Sequence, residues 1–251
     1  MKTALILLVL AGCARPQAGI ILATTTSVQD SGLLDELMPA FTIQTGIKVK
    51  VIAVGSGEAI AMARRGACDA VLAHSPKDEQ KLAEDGIALD RATIMSNTFL
   101  IVGPADDPAG IKGMTSAKAA FEKIRGRLFA SRGDKSGTHK RELDLWKEKP
   151  AGDWYKETQQ GMGETLIYAD QKGAYTLSDL ATFCGFQSKV RLVVLVDGGD
   201  ELINRYSVMR VKGGKEAASA WVEWMKKEAI PLIREFGKAK FGRPLFVPTL
   251  E

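Results

Sequence analysis

The sequence predicts an α/β fold arranged as two lobes around a cleft. Three observations carry this. Apolar, strand-like runs alternate with amphipathic segments of helical length, the pattern of βα units with largely parallel sheets. The chain has 251 residues, enough for two modest cores, and no long flexible linker divides it. Three strand-to-helix junctions carry short loops rich in glycine and hydroxyl residues, at the position where open α/β sheets bind ligands.

The elements follow in order. Gly19–Ala23 is a short apolar strand, and Leu33, Leu34, Leu37, Met38 and Phe41 repeat at helical spacing. Val49–Val54 is a β-branched strand, followed by a helix over Gly57–Arg65 that Gly66 stops. Cys68–His74 is a strand, and Pro76–Glu84 a helix with proline in its first turn, stopped by Gly86. Phe99–Gly103 is a strand that runs into the Pro/Asp/Gly loop Pro104–Gly113. Thr115–Arg125 is a helix with Ala119, Ala120 and Ile124 inward, and Leu128–Ser131 a strand. Helices over Thr138–Lys147 and Met162–Gln171 precede strands Ala174–Leu177, Val190–Val196 and Tyr206–Arg210. Lys215–Lys227 is a long helix, and Pro231 opens a further turn to Phe236. No internal repeat or low-complexity segment interrupts this series. The predicted hinge is crossed twice, near Ser96–Phe99 and near Asn204–Ser207, so that 20–97 plus 207–251 form one lobe and 98–206 the other.

Composition excludes several classes. Hydrophobic content of 45% and charged content of 25% are those of an ordinary soluble domain. The formal net charge of +4 is slight and scattered, and no dense Lys/Arg run with interleaved aromatics points to nucleic acid. The N-terminus differs from the rest. Lys2 precedes the short apolar run Thr3–Leu10, too short to span a bilayer. The run ends in Leu10-Ala11-Gly12-Cys13, which resembles the lipobox of bacterial lipoproteins. Residues 1–12 are then a signal peptide, Cys13 the lipid attachment, and 13–19 a tether holding the domain close to the membrane surface. An ordinary secretory signal cut after Ala14 or Ala18 is the competing reading; both export the chain. Cys68 and Cys184 remain, far apart in sequence, and are expected unpaired and mostly buried. Neither has metal-ligand spacing to His74 or His139, so no metal site is expected.

The three loops share one chemistry. The first is Thr24-Thr25-Thr26-Ser27, between the first strand and its helix. A helix start leaves backbone N–H groups unpaired and carries partial positive charge, and hydroxyls add donors. One N-cap needs one hydroxyl; this junction has four, any of which can face a ligand. The second loop, Gly55-Ser56-Gly57-Glu58, lets the backbone approach closely and adds a hydroxyl. It is neither a Walker loop nor a nucleophile elbow. Alone it is a weak signal, for which a tight turn is the commoner explanation. The third, Arg132-Gly133-Asp134-Lys135-Ser136-Gly137-Thr138-His139, adds a planar guanidinium that can bind an oxyanion bidentately. Asp134 can orient Arg132 or accept a ligand proton. Facing one cleft, the loops would surround a small tetrahedral oxyanion. A nanomolar site requires about 12 kcal/mol, and hydrogen bonds to a charged group contribute about 1.5–3 kcal/mol each. Seven or eight donors therefore suffice.

These segments resemble the tungstate-binding proteins of bacterial ABC importers, which have the type II periplasmic-binding-protein fold. The resemblance runs over nearly the whole chain. It rests most on Thr24-Thr25-Thr26-Ser27 followed by Asp30-Ser31-Gly32-Leu33-Leu34. It extends through Val54-Gly55-Ser56-Gly57, Asp69 with His74, Val102-Gly103-Pro104, Ser131–Thr138, Tyr175–Asp179 and Asn204-Arg205-Tyr206. It implies a solute-binding component without chemistry or cofactor of its own. Its contacts would come from Thr25, Thr26, Ser27, Ser56, Gly57, Arg132, Ser136, Gly137 and Thr138. It implies tungstate, or molybdate, as ligand, and a membrane permease with a cytoplasmic ATPase as partner to a monomer. Asn97-Thr98-Phe99 and Leu180 depart from the family segments, outside the three loops.

Two rivals stand beside this. The Arg132–Thr138 loop is similar to a segment of phosphate-binding proteins. Phosphate keeps a proton near neutral pH and favours a buried carboxylate acceptor; tungstate and molybdate need donors only. The hydroxyl-rich first loop suits the donor-only case. The other rival is an exported hydrolase. Only His74 and His139 could serve as base, and neither has recognisable spacing to a nucleophile. His139 reads as a helix-start residue and His74 as bonded to local backbone.

Overall fold

The computed structural model describes residues 19–249, so the lipobox-like segment and Cys13 lie outside the described residues. The elements in chain order are β1 (Gly19–Thr25), α1 (Thr26–Asp30), α2 (Leu33–Thr45), β2 (Lys48–Val54), α3 (Ser56–Arg64), β3 (Ala70–Ala73) and α4 (Pro76–Glu84). Then come β4 (Ala88–Gly103), α5 (Ala117–Ile124), β5 (Phe129–Ser131), α6 (Gly137–Leu145), β6 (Tyr155–Glu157), α7 (Met162–Lys172), β7 (Thr176–Asp179) and α8 (Leu180–Phe186). The chain closes with β8 (Val193–Asp197), β9 (Ile203–Val211), α9 (Ala217–Lys226), α10 (Ala229–Glu235), α11 (Lys238–Phe241) and β10 (Val247–Pro248).

The α/β class is as the alternation predicts, but the sheets are mixed rather than largely parallel. β1 pairs in parallel with β2 and β3, as βα units require. β9 then pairs antiparallel with both β3 and β4. The cause is β4, a 16-residue strand of which only the last five residues were expected. Its first half mixes charge and apolar residues (Ala88-Leu89-Asp90-Arg91-Ala92) and gives no clean period-2 signal. Bulges at Leu89/Ala92 and Thr93/Met95 break the alternation further. From Ala88 to Thr98 β4 pairs with β9; from Phe99 to Val102 it pairs with β7 instead. One strand thus carries the chain from the first sheet region into the second, and β9 carries it back.

Other elements shift from expectation. The strand predicted at Ala174–Leu177 runs Thr176–Asp179, and that at Val190–Val196 starts at Val193. α8, β6, α11 and β10 were not foreseen; all are short, and α8 is a buried apolar run too brief to show a helical period. Three buried clusters hold the fold. One is built on β1–β3, α3 and β9 around Val71, Ile60 and Met209. Another joins Phe99, Phe121, Phe129 and Trp146 beneath β5 and α6. The largest runs from Leu22, Phe41 and Trp221 through Val28 to Leu166 and Phe183, linking the two regions across α1 and α8. Cys68 is a buried free thiol and Cys184 a half-buried one. Among the described residues no helix is long and apolar enough to cross a membrane.

A candidate anion site where three loops meet

The tetrad of hydroxyls does not open the long helix α2. Thr24 and Thr25 end β1, and Thr26 begins the short α1. This places the four residues in different roles. Thr24 Oγ1 donates to the Leu72 carbonyl at 2.9 Å and is spent on holding β1 to β3. Thr25 is the N-cap of α1 and accepts from the Val28 amide. Thr25 Oγ1 also lies 3.0 Å from Ser27 Oγ. Ser27 Oγ in turn lies 3.3 Å from His74 Nε2. Thr26 is half-buried, and Thr25 and Ser27 are buried.

The second loop lies against the third. A Cβ on Gly57 would sit 3.5 Å from the Lys135 carbonyl oxygen, and one on Gly55 4.0 Å from Ser136 Cα. Ser56 starts α3 with its side chain fully buried. In the third loop Ser136 caps α6 by accepting from the His139 amide, and Thr138 follows in its first turn, buried. Among the described residues Ser56 Oγ and Thr138 Oγ1 are buried without a hydrogen-bond partner, as are Ser75 Oγ, Asn97 Nδ2, Ser207 Oγ and Trp221 Nε1 outside these loops. Buried hydroxyls are paired in nearly all folded proteins, so two orphans in facing loops mark a place for a polar ligand.

Arg132 is almost fully buried, with 4% exposure. Its Nη2 donates to Asp134 Oδ2 at 2.5 Å and its Nε to the Gln160 carbonyl at 3.3 Å. The other Asp134 oxygen accepts the Ser136 amide at 3.0 Å. Both carboxylate oxygens are engaged in the loop, so Asp134 acts as the arginine's orienter. The loop is held in a tight path. Gly133 has φ of +64°, and a Cβ there would come within 2.5 Å of Glu157 Cβ. Lys135 adopts φ of +61°, unusual for a non-glycine residue, and its amide donates to His139 Nδ1 at 2.9 Å. His139 therefore supports the third loop as an acceptor and does more than pack at the helix start.

Acidic groups surround the guanidinium. Asp179, fully buried, caps α8 through the Thr182 amide and hydroxyl. Burial pushes its carboxyl up, opposed by those bonds and by Arg132. Asp30 is also raised, by burial and by Glu164 and Asp179, with Arg132 opposing. Arg132 is one of the groups that oppose the rise of both carboxyls.

His74 joins the first and third loops and differs from the sequence reading: it bonds side chains, not local backbone. Its Nε2 meets Ser27 of the first loop, and its Nδ1 lies 3.0 Å from Asn204 Oδ1 at the start of β9. Gly137 of the third loop lies on its ring; a Cβ there would come within 2.5 Å of its Cε1. A cavity of about 150 Å³ borders this point, lined by His74, Gly137, Lys140, Arg141 and Asn204 among others. Sequence pattern could not find His74, because its partners lie 47 and 130 residues away.

Beneath the third loop, Glu142 of α6 is buried among donors. It accepts from Ser131 Oγ at 2.5 Å, Tyr155 at 2.8 Å and Trp146 Nε1 at 3.1 Å. Burial raises its carboxyl to about 7 against those bonds. A raised folded-state value makes the protonated form the stable one. The contribution is full below the unfolded value near 4.5 and is lost as pH rises through about 7. Stability should therefore fall by about 3 kcal/mol from this group between pH 4.5 and 7. Denaturant melts at pH 4.5 and pH 7.5 check it: Glu142→Gln should flatten that slope, and an unchanged slope would refute the assignment.

A mixed α/β fold with β4 and β9 linking two sheet regions, and donor-rich loops that meet, is the arrangement of a two-lobed solute-binding protein. Residues 14–228 match the PBP superfamily domain. The tungstate-binding protein TupA of Peptoclostridium acidaminophilum is 42% identical, covering 98% of this chain and 96% of the relative. Among solved structures, the tungstate-binding protein TupA of Desulfovibrio alaskensis G20 is 39% identical with a TM-score of 0.79, covering 93% of this chain and 100% of that one. The tungstate ABC transporter structure from Geobacter sulfurreducens is 41% identical with a TM-score of 0.75, covering 83% of this chain and 94% of that one. The chain belongs to the PBP superfamily and, within it, to the family of the tungstate-binding protein TupA.

Proposed function

We propose that the protein captures tungstate in this site and presents it to the membrane permease of an ABC importer driven by a cytoplasmic ATPase. The observation that carries the reading is the pair of orphaned buried hydroxyls, Ser56 Oγ and Thr138 Oγ1, on facing loops beside Arg132. Donors from both loops converge, and the one nearby loop carboxylate, Asp134, has both oxygens engaged. A fully deprotonated oxyanion such as tungstate or molybdate suits such a donor set, in which Asp134 has no free oxygen to take a phosphate proton. Thr25, Thr26, Ser27, Ser56, Gly57, Arg132, Ser136, Gly137 and Thr138 are assigned as the contacts. Binding without turnover is assigned, on the relatives named as tungstate-binding proteins.

The lobes are assigned as 20–97 plus 207–251 and 98–206. The hinge follows from β4, which changes partner between Thr98 and Phe99, and from β9, which starts at Ile203 opposite Thr98. Closure would bring donors of both lobes onto the anion and exclude water. The lobes are stitched at the rim by reciprocal ion pairs between α4 and α6. Lys77 binds Asp144 at 3.1 Å, and Lys140 binds Asp78. Both pairs are partly exposed, so their effect is small: Asp78→Asn with Asp144→Asn should weaken binding by about 1 kcal/mol, and less at high salt. Tungstate dissociation rates at two ionic strengths check this. Export, and tethering through lipid on Cys13, complete the proposal.

Calorimetry against tungstate, molybdate, phosphate and sulfate tests the reading. Tight binding of tungstate with weak binding of phosphate is expected. A phosphate preference, or no binding of any of the four, would overturn it.

A further inference from the structure

His74 sits at the end of a hydrogen-bond chain whose direction follows from the orientation of the Asn204 and Asn97 amides. Asn204 Nδ2 donates to Asn97 Oδ1 at 2.9 Å and to the Tyr206 hydroxyl at 2.8 Å. In this amide orientation its Oδ1 is the acceptor that faces His74, and His74 Nδ1 carries the proton of that 3.0 Å bond. In a neutral imidazole Nε2 then has no proton and can only accept. Its partner is Ser27 Oγ. The Ser27 hydroxyl has one proton and gives it to His74. Thr25 Oγ1, at 3.0 Å, must then donate to Ser27, since two facing lone pairs would repel. The Tyr206 hydroxyl also neighbours Ser27. With His74 neutral, the protons of Thr25 and Ser27 run toward the ring and away from the cleft. Two of the hydroxyls assigned to the anion then face it with lone pairs only.

We propose that capture of the oxyanion takes up one proton on His74, which reverses this chain and turns a first-loop hydroxyl proton toward the anion. The inference rests on the oxyanion reading and deepens it. A proton from solvent adds to Nε2; Nε2–H then donates to Ser27 Oγ, and the Ser27 or Thr25 hydroxyl donates to an oxo oxygen. No covalent bond to the ligand forms or breaks. The new imidazolium also adds positive charge beside a dianion.

The environment of the ring fits a coupled group. Burial holds His74 at about 4, the Asn204 bond raises it in part, and the charges of Arg132, Arg141 and Lys140 lower it further. The other neighbours facing it are Phe99 of β4, Tyr206 of β9 and Gly137 of α6. None of these three is charged: Tyr206 is held well above its ordinary value by burial and by Asp179. A bound dianion opposes the three cations and supplies the missing counter-charge. The free protein stays neutral at His74 through the physiological range, so the proton enters with the ligand. Affinity should then fall as pH rises, close to tenfold per unit between the free-state and bound-state values.

The chain has only two histidines, which makes the test direct. Tungstate is titrated by calorimetry at pH 7.5 in two buffers of different ionisation enthalpy, and affinity is measured from pH 7 to 9. Expected are close to one proton taken up per anion and an affinity loss approaching tenfold per unit. His74→Gln should abolish the uptake. Nitrogen-15 NMR of the histidine-labelled wild-type protein gives the same answer without a variant. His74 should carry a proton on Nδ1 alone when free and on both nitrogens when tungstate is bound. Tight binding without proton uptake, or a His74 already protonated at Nε2 in the free protein, would overturn this inference and leave the oxyanion reading standing. No binding of any of the four oxyanions would overturn both.

Discussion

Replacing Arg132 with glutamine is expected to weaken tungstate binding by about 3 kcal/mol or more, above a hundredfold in Kd. Three features set the size. The side chain is nearly fully buried, so its charge acts in a medium that screens little. It is pre-oriented by Asp134 and the Gln160 carbonyl, so little ordering is left to the binding step. It also balances Asp30 and Asp179, whose carboxyls it lowers. Without it a dianion would enter a cleft bordered by unbalanced acid groups. Lysine should restore only part of the affinity, because a point charge cannot reproduce the planar fork. Calorimetry against tungstate, with thermal melts to verify folding, measures both variants; full affinity in Arg132→Gln would remove Arg132 from the site.

Gly137→Ala should separate closure from stability. Its Cβ would lie 2.5 Å from His74 Cε1 and 2.7 Å from Nδ1, closer than real contacts allow. His74 cannot swing aside freely, since Ser27 and Asn204 hold both ring nitrogens. The lobes must therefore stay slightly apart, and the third loop's donors move off the anion. A loss of about a hundredfold in affinity is expected, because displacement of even 1 Å defeats a positioned donor set. The free protein should not suffer where its lobes stand apart and Gly137 leaves His74. Gly137 is the first residue of α6 with φ outside the left-handed region, and alanine there favours a helix by up to about 1 kcal/mol. Unchanged or raised melting temperature with lost affinity is the expected signature. Unchanged affinity would mean that Gly137 and His74 do not meet in the bound form.

Most βα units were readable because their signals are local. Proline at the first position of α4, glycine after α3 and α4, and the β-branched run of β2 each act within a few residues. The membership of the three loops was readable for the same reason. Their junctions are over-supplied with donors relative to what a helix cap needs, and that surplus is visible in a window of four to eight residues. The first half of β4 was not readable: its alternation is broken by bulges, and it is defined by pairing with β9, over a hundred residues away. Nor was the division of labour in Thr24–Ser27. Four adjacent hydroxyls look alike in sequence, yet Thr24 is spent on Leu72 and Ser27 on His74.

The sequence by itself determined the βα order, the three donor loops and the kind of ligand they suit, since each depends on residue type and short spacing. Only the tertiary structure decided which hydroxyls are bonded within the protein and which are not. It gave Asp134 to Arg132 and Ser136, left Ser56 and Thr138 without partners, and set His74 against Gly137 where the loops converge. The physical reason is that a hydroxyl donates one proton. Where that proton goes depends on the nearest acceptor in space, and for the residues that matter here the acceptor comes from another part of the chain.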